Sequence, residues 1–511
     1  MRIFLHSILF ILCGLHLSAQ DNKKIQLIRA DVIEYDAGMV KAQRLLGRVI
    51  FEHQGSRMYC DSAYLYEESN RFESFGNVRI TDKKDLTIRG KRLDYDADER
   101  KAEIFEEITL RDGEMTLTTD YIEYQLDDRM ASYFGGGKIV SSANRNVLTS
   151  SMGHYFADSK IMHFKDTVEL RNPQYTMYTD TLHYHSLSEQ AYFLGPTIID
   201  SDENRIYCEN GWYDTVNDKA RFGENAHIWS NEQQLLGDSL YYDRNAGYGE
   251  AFGDVLIIDT LNQLQISGQY GKHLEEQDMS FVTDGALMEQ FFEADTLLLH
   301  ADTLQMTADT LEKRKITAFY GVQIFKTDLQ GVCDSLVYTE ADSLIRMYEQ
   351  PFLWSEENQI SGERIDLKTY EGTIESMYTE NMAFIISQVD SIHYNQIKGR
   401  TLTGYFKENE LDRVVIEGNG ECIYYAVEEV PEEDASDSTY VPKQRIIGVN
   451  VGACSSMVIG IEDRTISRVK FITKPDNAFY PLDKISQEAL ILKDFTWNGD
   501  QRPLDRSALI Q

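Results

Sequence analysis

Proline is scarce, with eight residues in 511, and cationic side chains are outnumbered, 50 Lys and Arg against 84 Asp and Glu. The formal charge of −34 excludes nucleic acid as a partner, because either a duplex or a single strand needs a basic face to neutralise its phosphates. It also argues against a polybasic hold on anionic headgroups. Beyond residue 20 no apolar run approaches the roughly 20 residues of a spanning helix. Cysteine is sparse there: Cys60, Cys208, Cys333, Cys422 and Cys454 are odd in number and too far apart for a disulfide framework. They read as small buried fillers. No G-x-S-x-G elbow, P-loop or zinc-protease pair occurs, and Gly135 to Gly137 follow Tyr-Phe inside a repeat, as a turn does. Neither catalysis, nor a metal, nor a cofactor is expected.

What is present points to strands. A hydrophobic content of 42% with 11% aromatics excludes a largely disordered chain. Thirty tyrosines beside so few prolines suit β-structure. The opening MRIFLHSILFILCGLHLSAQ has Arg2, an apolar run from Ile3 to Leu17, then Ser18 and Ala19, the layout of a cleaved secretory signal over residues 1–19. Leu12 stands before Cys13 where lipid attachment wants a small residue. An exported chain is expected.

The dominant signal is an internal repeat. Tyr35, Leu65, Tyr95, Tyr124, Tyr155, Tyr184, Tyr213 and Tyr242 recur every 29 to 31 residues. Five positions before each marker the side chain is small (Ala30, Cys60, Gly90, Thr119, Ser150, Thr179, Cys208, Gly237). Four before, it is mostly acidic: Asp31, Asp61, Lys91, Asp120, Ser151, Asp180, Glu209, Asp238. About eleven after come Gly or an acid, and then an aliphatic. Apolar positions alternate as in a half-buried strand, and DA, DD, GG and ND pairs close the runs as turns. Looser copies continue past Tyr242 through Gly268, Ala301, Cys333, Gly362 and Gly399, about twelve in all.

The phrase RADVIEYD, with FGNVRITD (75–82) and FGDVLIID (252–259), resembles the organic-solvent-tolerance (OstA-like) family, the β-domains of periplasmic lipopolysaccharide-transport proteins. The resemblance implies an all-β fold, an elongated antiparallel β-jellyroll or V-shaped trough, here of about twelve ~29-residue repeats. It implies acyl chains in an apolar groove, a periplasmic location with or without association with the outer membrane, and partners that are lipopolysaccharide or a related glycolipid and other β-trough domains joined through sheet edges. An open pair of apolar sheets needs an occupant, and acyl chains suit it. Lining residues are expected at Ile33, Val49, Val78, Leu93, Ile108, Ile122, Val168, Leu182, Leu240 and Val255. The alternative is an exported structural or interaction β-solenoid whose interior is closed.

The trough should occupy residues 20–427, with tighter repeats over 25–260 and looser ones over 261–427. Residues 428–445 read as a linker, and 446–511 as a C-terminal β segment with a short helix at ISQEALILK (485–493) and a tail that frays from about Phe495. His154, His163, His183 and His185 read as exposed or hydrogen-bonded histidines on strands, because no carboxylate or cysteine completes a metal set. The acidic column reads as aspartates that bond turn backbone, and the tyrosine column as core packing with a bonded hydroxyl.

Overall fold

The computed structural model describes residues 24–35, 41–82, 86–143, 145–230, 232–293, 295–308, 313–370, 373–407, 410–430, 443–462 and 465–509. The expected signal, 1–19, lies outside them. Among the described residues the chain is all-β, an antiparallel strand ladder with a few 3₁₀ turns and no α-helix. Described residues up to Asp202, with Glu209–Val216, form one compact unit; Glu203–Cys208 with those from Asn217 onward form a second.

Each repeat supplies two long strands. In the first unit Gln43–His53, Ser56–Tyr66, Arg71–Thr81, Thr87–Asp96, Lys101–Asp112, Met115–Gln125, Met130–Ser141, Val147–Phe156, Ile161–Arg171, Tyr175–His185 and Gln190–Ser201 pair each with the next. Alternate side chains are shut in: along Lys101–Asp112 these are Ala102, Ile104, Ile108 and Leu110, all at 1% exposure or less. That alternation is what the period-2 pattern dictates.

Every second strand is broken in the middle by a bulge, where two successive residues take left-handed φ: Gly47 and Arg48, Gly76 and Asn77, Glu106 and Glu107, Gly135 and Gly136, Asp166 and Thr167, Gly253 and Asp254. The ladder register shifts at the same places, for example between Phe105 and Ile108. A bulge bends its strand. The two halves of each strand therefore fold over and face one another, and opposite strand ends meet: Tyr155 Oη donates to Asp112 Oδ2 at 2.7 Å, and His53 Nδ1 lies 2.6 Å from Tyr95 Oη. In the second unit one core cluster likewise takes residues from both sides of a bulge, Val282 with Met288 and Met377 with Ile385.

The acidic column explains the bulges. Where the first bulge residue is Gly47, Gly76, Gly135, Gly195 or Gly253, the column residue is Asp31, Asp61, Asp120, Asp180 or Asp238. A Cβ at Gly76 would stand 2.5 Å from Asp61 Oδ2, and one at Gly253 2.1 Å from Asp238 Oδ2. At Gly47, Gly76 and Gly253 the carboxylate occupies the space that the glycine vacates, and in the first two it bonds the next residue, Arg48 to Asp31 at 2.9 Å and Asn77 Nδ2 to Asp61 at 2.7 Å; at Gly135 that space is open. Where the bulge begins with Glu106, Asp166 or Glu224 the column holds Lys91, Ser151 or Glu209. In the first of these the charges are exchanged, and Lys91 pairs with Glu107.

The five cysteines are free and buried, as small fillers should be. Residues 428–430 and 443–445, expected in a linker, lie in the strands Glu410–Val430 and Lys443–Glu462, which pair with each other; 431–442 fall outside the described residues. Residues 485–493 hold no α-helix, only a 3₁₀ turn at Gln487–Leu490. The tail, instead of fraying, is held against the strands down to Leu509.

Candidate functional site

The tyrosine column lies along one lip of the first unit, where strands turn. Tyr95, Tyr124 and Tyr155 are 1 to 4% exposed, and each faces a polar group 42 or 43 residues earlier on the opposite lip: His53, Asp82 and Asp112. Next to Tyr124 the Arg129 guanidinium reaches Asp82, with Nε at 2.7 Å, and also pairs with Asp158. Beside Tyr155, Lys160 Nζ donates to Asp112 Oδ2 at 2.6 Å. Burial pushes the Tyr124 phenol up to about 12, and burial followed by the bond to Asp112 lifts Tyr155 well above the ordinary phenol range. These rungs join the lips because a buried hydroxyl or charge must find a partner.

Forty-three residues before Tyr184, the next marker in the series, stands Ser141. Here a cavity of about 370 Å³ opens between the facing halves. Its walls are Met115, Ile139, Leu148, Met162, Phe164, Leu170 and Leu182; Asp112, Tyr155, Lys160 and Tyr184 lie at the rim. Met115, Ile139, Leu148, Met162 and Leu170 keep 6 to 8% exposure, whereas Leu117, Ile122 and Met177, away from the cavity, keep 0 to 1%. The volume is at the small end of ligand pockets, roughly 300–1,000 Å³.

Of the expected lining residues, Leu182 reaches this cavity. Val49, Val78, Leu93, Ile108, Ile122 and Val168 sit in the first unit at 0 to 2% exposure, and Leu240 and Val255 in the second at 3% and 1%. All are enclosed by protein. Ile33 is 56% exposed on Val32–Tyr35, the terminal strand, which pairs with Gln43–His53. Of the residues beside this cavity, Tyr155 belongs to the tyrosine column, whereas Asp112 and Lys160 were not singled out by pattern. Their signal is the offset of 42 to 43 residues between the tyrosine marker and a polar strand end, visible only once two copies are read together.

The histidines lie on the outer side. His154, His163 and His183 stand side by side on adjacent strands, the last two stacked at 4.0 Å, and burial lowers both of their pKa values. Ser132 Oγ is 2.8 Å from His154 Nδ1. Among the described residues no three His, Cys, Asp or Glu side chains are grouped to hold a metal ion.

Among solved structures the chain is similar to LptH, described as the LptA homologous periplasmic component of the conserved lipopolysaccharide transport device from Pseudomonas aeruginosa. The identity is 14%, the likeness covers 29% of this chain and 82% of that one, and the TM-score is 0.17. No curated protein matches. Residues 22–180 match the family described as OstA-like protein, the resemblance that the repeated phrase carries.

Proposed function

We propose that this is an exported lipid-binding protein related to lipopolysaccharide transport and outer-membrane assembly, a β-trough that takes an acyl chain at the cavity between residues 112 and 189. The carrying observation is the 370 Å³ opening with apolar walls, whose lining also carries Lys160 among the carboxylates Asp112, Glu114 and Glu189. A chain of about twelve methylenes entering it gains about 10 kcal/mol gross, at about 0.8 per methylene. Parting one neighbouring rung costs about 1.5–3 kcal/mol, so cargo can open the lips next to the cavity. Once that rung parts, Lys160, released from Asp112, suits the phosphate or carboxylate of a glycolipid headgroup. The periplasm is the compartment that this reading requires, and the strands Gln26–Arg29 and Val32–Tyr35, which both pair with Gln43–His53 and leave Ile28, Val32, Ile33 and Tyr35 about half exposed or more, suit a second β-trough added along their edge.

A second reading, an exported structural or interaction solenoid without lipid cargo, is favoured by the closed interior elsewhere: nine of the ten expected lining residues are at most 3% exposed. Photo-crosslinking side chains at Leu148 and Met162, with Leu93 as the enclosed comparison, separate the two. Lipopolysaccharide adducts at the first two positions ahead of the third support a cargo site; adducts to protein alone, at every position, support the solenoid.

A further inference from the structure

On the second unit a single register row crosses eight strands: Glu289, Leu298, Phe325, Gln330, Trp354, Gln359, Ile386 and Gln396 are successive partners. It faces away from the core, whose residues Met288, Leu299, Ile324, Ile360, Ile385 and Ile397 are their sequence neighbours. The C-terminal residues run along this row. Gln396 donates Nε2 to Leu490 O at 2.8 Å and accepts from Leu492 N at 2.9 Å. Two strands further, Gln359 repeats the grip six residues on, donating to Thr496 O at 2.8 Å and accepting from Asn498 N at 2.7 Å. Gln330 then accepts from Arg502 Nε at 2.7 Å, and Arg506 forks onto Glu289 at 2.6 and 2.7 Å.

This is how a protein reads a peptide. The glutamines bind main-chain N–H and C=O groups, which any sequence supplies, while side chains add selectivity: Leu490 packs with Ile423 and Tyr425, and Phe495 and Trp497 lie against Tyr394. The row mixes amides, a carboxylate and aromatics, the composition of an interface and not of the purely aliphatic interior. Nor does the tail exhaust it. Trp354, 1% exposed, has an indole Nε1 with no partner among the described residues, and His300 Nδ1 and Gln323 Oε1 nearby on the same face are also buried and unmet. A segment that completed the fold would be expected to satisfy such atoms.

We propose that this face is a peptide-binding track for an aromatic, arginine-bearing segment interrupted by short 3₁₀ turns, and that residues 485–509 are its resident, exchangeable ligand. The full chain tests it, with a protease recognition sequence inserted after Lys484, whose side chain is 71% exposed. After cleavage of the folded protein the tail should co-elute with the body. An excess of labelled synthetic peptide 485–509 should replace it without loss of strand circular dichroism. In the cleaved Gln359→Ala, Gln396→Ala variant release should be faster by about tenfold or more, the effect of about 1.4 kcal/mol. A tail that leaves and does not rebind overturns the proposal. So does one that never exchanges, or whose removal unfolds the ladder, since either would make it an ordinary part of the fold.

Discussion

The pairing of glycine bulges with aspartates is a quantitative rule. Consider Gly76→Ala. At φ +72° an L residue is strained by about 1–2 kcal/mol. Its methyl would also stand 2.5 Å from Asp61 Oδ2, so the carboxylate must swing away and release Asn77, a further loss of about 1 kcal/mol. The sum is about 2–3 kcal/mol. Gly113→Ala, at φ +59° with nothing within 4 Å, isolates the first contribution and should cost about 1–2. In an Asp61→Ser background, the pairing that Ser151 and Asp166 already use, Gly76→Ala should lose only the strain. A double-mutant cycle by thermal melting should then give a coupling of about 1 kcal/mol, or about 2–4 °C in midpoint. Zero coupling, with Gly76→Ala as mild as Gly113→Ala, would refute the account of why the column is acidic.

Two further outcomes follow from the lips. The raised phenols of Tyr95, Tyr124 and Tyr155 hold their protons more tightly folded than unfolded, so stability is full below about pH 10 and falls as pH climbs through the folded values. For Tyr124, raised to about 12, the loss is about 3 kcal/mol; melting midpoints from about pH 8 to about pH 12 should drop, and Tyr124→Phe should flatten the drop. Asp112→Asn removes the charge that Tyr155 and Lys160 share, which should lower stability by about 1–3 kcal/mol yet speed lipopolysaccharide crosslinking at Leu148; slower crosslinking would mean that the rung does not gate the cavity.

Much of this architecture is legible in the residues. Alternation gave the strands, and the 30-residue recurrence gave the hairpins, because each copy must bury the same positions against the next. Small residues at Cys60, Cys208 and Gly90 had to be small: a Cβ at Gly90 would press to 2.5 Å on Ile104. The cavity was not legible, since its lining is gathered from residues spread between 112 and 189, and no local pattern marks them as a set. Nor was the strap. ISQEALILK spaces its apolar residues as a helix might, but it is limited to one 3₁₀ turn because Gln396, some 95 residues earlier in sequence, binds Leu490 O and Leu492 N. Ile33 has the pattern of a core position and is exposed because its strand is the terminal one.

The lips carry a consequence for how such a chain can change in length. Each rung connects a hairpin only to its near neighbours, over 42 or 43 residues between a tyrosine and its partner, so whole copies could be duplicated or excised while surviving rungs rejoin in step. Insertions of any other size would put out of step only the rungs that span them, so length in this architecture is inherited most readily in whole copies.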